Sequence, residues 1–471
     1  MNVKKPIMVV LNVSDTIVTS PVRKAVLSDL SWETKSYFRT SGGIKAKIIQ
    51  DSMFVVNRKE PGTFYVPTGL VPFIKRRLLE KGIDVEISGD TNTKAKTKAV
   101  QETEIEGIKL RKAQIEILQY IAGKSRGVIH AATGIGKSLV ALGIFHQHKL
   151  RNPECKILFL AHTIDLVVQA ADQFKAHFSV GVWQGDKRID GDIICATIQT
   201  AKKIGLNKIQ KMFEVLVVDE AHRCADASKS YFAFIQDSFI RYRYGLTATL
   251  PNSKEGRLAL EGCIGPVIAS YDIAQGVEDG ILSQPRVYLL TYPQPNPPKG
   301  TSYRYAYQSH IVENDVRNRK IVGLAMKLAK KGESSLIFVK ELSHGNALSK
   351  ILEFNKVDHF WIHGAHSSDD RKATKKVLER KDCLIGICST IWNEGVSINS
   401  LNNCINAAGM KDSKTIIQIV GRGTRVDEGK TTVKIWDFLD RGEHISEHCF
   451  DRINTYVYNG WKITIPTRKK K

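Results

Sequence analysis

Apolar residues fall along this chain in two regimes. From Ile108 onward, short apolar runs of strand length alternate with stretches whose apolar positions recur at helical spacing. The runs are GVIHAA, KILFLA, DIICA, VLVVDE and RYGLTA and, after a break, SSLIFV, HFWIHG, CLIGICS, NCINAAG and VKIWDF. Each gives way to small or polar residues at its end. Continuous apolar runs suit strands buried on both faces, as in parallel sheets covered by crossover helices. The pattern predicts two α/β units, parted by the Pro-rich segment TYPQPNPPKGTSY at 291–303. In such sheets ligands bind at the carboxyl ends of the strands, and the unusual residues of this chain fall there.

The first hundred residues read differently. Strand-like runs at 7–13, 44–50 and 53–57 accompany one amphipathic helix near 70–81, and the charged stretch KTKAVQETEIEG follows as a linker. The expected organisation is a small N-terminal α+β domain at 1–100, followed by α/β domains at 101–288 and 289–471. No run approaches the ~20 apolar residues of a membrane span. The start, MNVKKPIMVVLNVSDT, has too short an apolar stretch and no small-residue cleavage site, so it reads as a strand and not as a signal peptide. A cytoplasmic protein without a membrane partner is expected.

Charge narrows the class of partner. The 471 residues carry 70 Lys and Arg against 48 Asp and Glu, a net +22. Such a surplus points to a polyanion, because each phosphate neutralised releases counterions. Residues 1–100 hold 17 basic and 9 acidic side chains, more than their share of the excess, and the chain closes on a basic tail, Arg468 to Lys471. The eight cysteines are scattered with no CxxC pair, which argues against zinc and for reduced core thiols.

The chemistry begins at Ala131-Ala132-Thr133-Gly134-Ile135-Gly136-Lys137-Ser138, which follows a strand-like run and opens a helical pattern. This is the strand–loop–helix context of a phosphate-binding loop. Thr133, Gly134 and Gly136 belong to a turn whose N–H groups face phosphate oxygens, and the helix adds its positive end. Lys137 is placed to reach the β- and γ-phosphates, and Ser138 to bind Mg2+. The first position is Ala131 where the usual pattern has Gly. VLVVDEAH at 215–222 puts Asp219 and Glu220 at a strand tip. Asp219 suits Mg2+ and Glu220 suits deprotonation of the attacking water. In the second α/β unit, Gln418-Ile419-Val420-Gly421-Arg422-Gly423-Thr424-Arg425 sets Arg422 and Arg425 three apart, a spacing that serves transition-state charge on a γ-phosphoryl group.

Taken in order, these stretches resemble the motifs of superfamily 2 helicases: ATGIGKS, DEAH, Thr247-Ala248-Thr249 and QIVGRGTR. AHTIDLVVQ, ATIQT and CSTIWNEGVSI resemble three further motifs of that superfamily, and NDVRNRKI resembles the segment that opens its second domain. FVKELSHGNAL, STIWNEGVSINSL and IWDFLD look like the phage UvsW-type recombination helicases. The resemblance implies two tandem RecA-like parallel-sheet domains in an α/β chain, with ATP in a cleft between them. Arg111 and Gln114 would recognise adenine, and Gln418 would join the two arginines. The implied activity is an ATP-dependent DNA motor that remodels branched DNA: forks, Holliday junctions, D-loops or R-loops with their RNA–DNA hybrids.

Thr163, Thr197 and Thr390 are the candidate backbone contacts, since short hydroxyls hold phosphate without reading bases. Their other reading is helix caps or strand residues. Thr247 and Thr249 are candidates to relay between the ATP and DNA sites. In the N-terminal domain, Arg39, Lys45, Lys47, Arg58 and Lys59 lie among Tyr37, Phe38, Phe54 and Phe64, either as a stacking and phosphate surface or as an ordinary core with solvated charges. A monomer is expected, in host cytoplasm if the source is a phage. An RNA helicase, a restriction-type duplex translocase and an ATP-gated nucleic-acid clamp are the rival readings.

Overall fold

The computed structural model describes residues 7–10, 15–18, 26, 28–40, 43–56, 58–59, 63–89, 104–105, 107–226, 230–294, 300, 302–389, 400–411, 417, 420–421, 423–424 and 430–465. The chain divides into two compact units, one of residues 1–131 and 136–271, the other of residues 272–471 with 132–135.

The N-terminal part of the first unit has strands β1 (Ile7–Val10), β2 (Asp15–Val18), β3 (Ser31–Thr40), β4 (Gly43–Ser52), β5 (Val55–Val56), β6 (Phe64–Pro67) and β7 (Glu86–Gly89). Five form a sheet in the order β5-β6-β2-β1-β7, while β3 and β4 make a separate antiparallel hairpin. The helix Val71–Glu80 starts with a proline in its first turn and buries Val71, Ile74 and Leu78, the spacing of a single helical stripe. That stripe meets Met8, Val18, Phe64 and Val66, and the same core takes in Leu258 and Ala259 from the helix Lys254–Cys263 of the following domain. The approach is tight: a Cβ on Gly69 would lie 2.1 Å from the carbonyl oxygen of Glu261. The N-terminal domain is thus welded to its neighbour by shared core. Phe64 is fully buried and stacks edge-on with Phe54 at 5.5 Å, so these two aromatics are core and do not stack on bases.

The tail of the expected linker is not linker. Glu104–Ile105 (β8) pairs with Ile108–Lys109 (β9) as a short hairpin. Beyond it lie β10 (Arg126–Ala131), β11 (Ile157–Ala161), β12 (Val180–Gln184), β13 (Lys187–Arg188), β14 (Ile193–Thr197), β15 (Val215–Asp219), β16 (Tyr242–Thr247) and β17 (Val267–Tyr271). They form one sheet in the order β13-β12-β14-β11-β15-β16-β10-β17, parallel except for β13. Every residue of β11 and of β16 is buried, including Arg243 of β16, whose guanidinium donates to the carbonyl oxygens of Ile240 and Cys263.

The second unit repeats the plan with β18 (Gln284–Leu290), β19 (Ser335–Val339), β20 (Phe360–Ile362), β21 (Ile385–Ser389), β22 (Asn403–Asn406), β23 (Thr432–Phe438) and β24 (Lys462–Thr464). All are parallel, in the order β20-β21-β19-β22-β23-β18-β24. Strand β18 runs across the expected border at 288/289 and pairs within this second sheet.

Three of the family-like segments of the second unit meet in a buried polar cluster. Arg317 of NDVRNRKI grips Asp440 of IWDFLD through Nε and Nη2, at 2.9 and 3.2 Å, and donates from Nη1 to Ala407 O at 2.8 Å. Arg452, on the helix Ile445–Tyr458, binds Asp437 at 2.8 Å and Asp440 at 3.2 Å. Tyr292 and Tyr456 donate their hydroxyls to Asp440 and Asp437 at 2.8 and 2.6 Å. All four charged side chains are at most 1% exposed. Next to them, His344 of FVKELSHGNAL bonds Asn318 at 2.9 Å.

Two buried histidines tie stability to pH. Asn318 donates Nδ2 to Val312 O, so its Oδ1 accepts from His344 Nε2–H. Tyr244 donates to Lys124 O, so its oxygen accepts from His148 Nε2–H. Each ring keeps its lone pair at Nδ1, where a second proton would meet no acceptor among the described residues. Burial first, and then a neighbouring arginine, push both rings down to about 3. The unfolded chain takes up protons near pH 6.5 and the folded chain does not, so stability rises with pH across that window and is lost as pH falls from about 6.5 toward 3. The slope is about 1.4 kcal/mol per pH unit for each histidine. Urea unfolding at pH 7 and pH 5 should show the loss, and His344→Gln should flatten it for the second unit. Equal pH slopes in wild type and variant would refute the assignment.

Candidate functional site

The phosphate-loop candidate has the expected local form. Strand β10 ends at Ala131, and the helix Lys137–Arg151 begins one residue after Gly136, its N-cap. Gly134 and Gly136 have φ of +96° and +94°, a conformation that costs a residue with a Cβ about 1–2 kcal/mol. Gly136 has a second constraint. A Cβ there would lie 2.6 Å from Nε2 of Gln114, which is wholly buried and accepts from Arg111 N through Oε1 at 2.9 Å. The expected adenine-recognising glutamine therefore lies against the glycine loop. Arg111 is exposed and Lys137 and Ser138 are half-buried at the helix start.

Asp219 closes β15. This strand is not the neighbour of β10; β16 runs between them. The register sets Asp219 opposite Leu246 and Thr247 opposite His130, so the two strand tips end level and about 10 Å apart, two strand spacings. The intervening tip carries Thr247. Asp219 Oδ1 accepts from Glu220 N at 3.0 Å. Glu220 adopts φ +50°, ψ +49°, a left-handed conformation uncommon outside glycine. Its Oε2 lies 3.2 Å from His222 Nδ1, which is also 3.1 Å from Thr247 Oγ1. Thr247 donates its hydroxyl hydrogen to Thr249 O at 2.8 Å, so it must accept from His222, and Nδ1 carries the proton. A continuous polar chain thus runs from Glu220 through His222 to Thr247 and Thr249, residues expected to relay between sites.

The candidate backbone threonines follow β11 and β14. Thr163 caps the helix Ile164–Phe174, accepting from Leu166 N at 3.4 Å, and Thr197 caps Ile198–Ile204, accepting from Thr200 N at 3.2 Å. Both are caps, and both are half-buried at the carboxyl edge that also holds Asp219 and Thr247. Lys47, Arg58 and Lys59 are exposed. Arg39 and Lys45 belong to the β3–β4 hairpin, whose register sets Phe38 opposite Lys45 and Ser36 opposite Lys47; the side chains of Arg39 and Lys45 lie outside the described ones. Thr390, Gln418, Arg422 and Arg425 lie outside the described residues. The sequence reading missed His222 as the link between the acidic pair and Thr247, although the letters of DEAH already carried it. No cluster of metal-ligating side chains occurs among the described residues, and no described helix is long and apolar enough to cross a membrane.

Comparison with known proteins fits this arrangement. Residues 107–252 match the family "Type III restriction enzyme, res subunit", and residues 317–427 match "Helicase conserved C-terminal domain". Together the two take in more than half of the chain, which belongs to the superfamily 2 helicases and is an ATP-dependent helicase. Within that class it is similar to the ATP-dependent DNA helicase uvsW of Enterobacteria phage T4, with 25% identity over 365 residues, 70% of this chain and 72% of that protein. It is also 26% identical over 347 residues to a probable helicase of Escherichia phage T5, covering 73% of this chain and 74% of the relative. The paired RecA-like sheets recur in S. cerevisiae Dbp5 bound to RNA and ADP BeF3, at a TM-score of 0.55 and 14% identity over 76% of this chain and 90% of that one.

Proposed function

We propose that this helicase is a DNA motor that remodels branched DNA, acting as a monomer on forks, four-way junctions, D-loops and R-loops. The observation that carries the proposal is the construction of the first unit. A motor domain with an acidic pair and a phosphate-loop candidate shares its core with a basic-rich N-terminal domain bearing a separate two-stranded hairpin. A motor that only tracked a single strand would need no such appendage. The likeness to a phage DNA helicase supports DNA over RNA.

In this reading Thr133, Gly134, Gly136 and Lys137 hold the triphosphate, Arg111 and Gln114 hold adenine, and Ser138 with Asp219 holds Mg2+, which neutralises phosphate charge. Glu220 takes the proton from the attacking water, while Arg422, Arg425 and Gln418 meet charge on the γ-phosphoryl group. Thr163, Thr197 and Thr390 grip the sugar-phosphate backbone, and Arg39, Lys45, Lys47, Arg58 and Lys59 add affinity at the branch. The setting is cytoplasm, that of the host for a phage protein.

The test is ATP hydrolysis across single-stranded, duplex, forked and four-way DNA and RNA at one stated salt concentration. Forked and four-way DNA should stimulate most, and Lys137→Ala should remove turnover on every substrate. Stimulation by RNA alone would overturn the DNA assignment.

A further inference from the structure

Where the helix Val71–Glu80 of the N-terminal domain meets the helix Lys254–Cys263 of the motor domain, a cleft of about 440 Å³ opens. Its walls carry Phe73, Arg76, Asn252, Lys254, Arg257 and Glu261. Three cations face one carboxylate, and that carboxylate is itself weakened, since burial pushes Glu261 above the usual range against the pull of Arg76 and Arg257.

Lys254 donates its ammonium to the carbonyl oxygens of Ser28 and Ser31, neutral acceptors. Arg257 donates Nε to Pro251 O at 2.9 Å and has no ion pair among the described residues. Arg76 stands 4.0 Å from Glu80, but Glu80 is held by Arg77 at 2.6 Å. Arg76 also lies 5.8 Å over the Phe73 ring, and Phe73 gives the cleft an apolar wall. Three cations against one buried carboxylate, beside an aromatic ring, suit a phosphodiester backbone, where cations meet phosphate and the ring meets sugar or base.

We infer that this cleft holds the backbone of a second nucleic-acid arm, separate from the strand met by Thr163 and Thr197. The inference rests on the reading of the chain as a motor on branched DNA. The separation follows from the sheet. Those threonines follow β11 and β14, whereas Asn252 and Lys254 follow β16, two strands beyond β11 and about 10 Å away in the sheet. The cleft is built by both domains, so an arm seated in it touches the motor and its appendage together. Lys254 also fixes the base of the β3–β4 hairpin through Ser31, so a backbone leaving the cleft past Lys254 passes the root of that hairpin.

Binding of four-way and single-stranded DNA to the full chain, followed by fluorescence anisotropy over a salt series, tests this. In the doubly substituted R76A/R257A protein the slope of log affinity against log salt for four-way DNA should become shallower by about two, one for each phosphate that no longer meets a cation. The preference for four-way over single-stranded DNA should fall with it. An unchanged slope overturns the proposal. Should the double variant fail to fold, photocrosslinking of the unsubstituted protein to bromodeoxyuridine-bearing four-way DNA decides. Crosslinks in peptides 71–80 and 252–261 support the cleft, and crosslinks only elsewhere refute it. If no DNA stimulates hydrolysis the motor reading itself falls. If DNA stimulates but slope and crosslinks bypass the cleft, only the second-arm site falls.

Discussion

With Glu220 replaced by Gln, the protein is expected to bind ATP and to hydrolyse it about a hundred- to ten-thousand-fold more slowly. Glutamine keeps the shape of the side chain beside His222, and the His222–Thr247 bond does not involve residue 220, so it survives. What is lost is the capacity to take a proton from water. The backbone strengthens the case, since Glu220 sits at φ +50°, a conformation costing about 1–2 kcal/mol outside glycine. A carboxylate kept there aims its side chain from the strand tip in a direction that an extended backbone would not give. Phosphate release in the presence of DNA, paired with binding of a fluorescent ATP analogue, reads both halves. Turnover near the wild-type rate with intact binding would remove Glu220 from the role of base.

The second large effect is structural. Asp440→Asn should destabilise the second unit by about 3–5 kcal/mol, the usual cost of stripping one partner from a buried ion pair. Asp440 receives Arg317, Arg452 and Tyr292 at once, all fully or nearly fully buried, and an amide would turn a donor group toward those donors. Arg317 would then be left buried without a carboxylate, while Arg452 would keep only Asp437. Urea unfolding monitored by the fluorescence of Trp436 and Trp461 reads the second unit, and a loss below about 1 kcal/mol would mean that the cluster is not the brace its geometry indicates.

These two cases bracket what the sequence carries. All ten apolar runs singled out from Ile108 onward became strands; nine lie inside a parallel sheet, where burial on both faces favours apolar residues, and only Phe360–Ile362 is an edge. The strands left out have another character. Val267–Tyr271, at the edge of its sheet, alternates buried and exposed positions, and Lys462–Thr464 is short and mostly exposed. An edge strand is paired on one side and partly solvated, so its signal is diluted. The candidate phosphate loop and acidic pair stood out in the sequence because the chemistry they would serve fixes residue type and spacing within a few positions. The intervening strand β16 was not legible as such, since strand order is a long-range property that no local pattern encodes. Arg317 and Asp440 were visible only as family-like letters, and their meaning as partners needed a separation of 123 residues to be closed in space.

The short strand Lys187–Arg188 guards one edge of the first large sheet. It folds back antiparallel on Val180–Gln184, the outer parallel strand of the eight-stranded sheet, with Arg188 5.7 Å over the Trp183 ring. Two exposed cations thereby occupy the rim where an unfinished sheet would otherwise offer its amides and carbonyls to any passing polypeptide. Parallel sheets assemble slowly because their contacts are distant in the chain. Charged side chains along that rim oppose edge-to-edge pairing with a second chain.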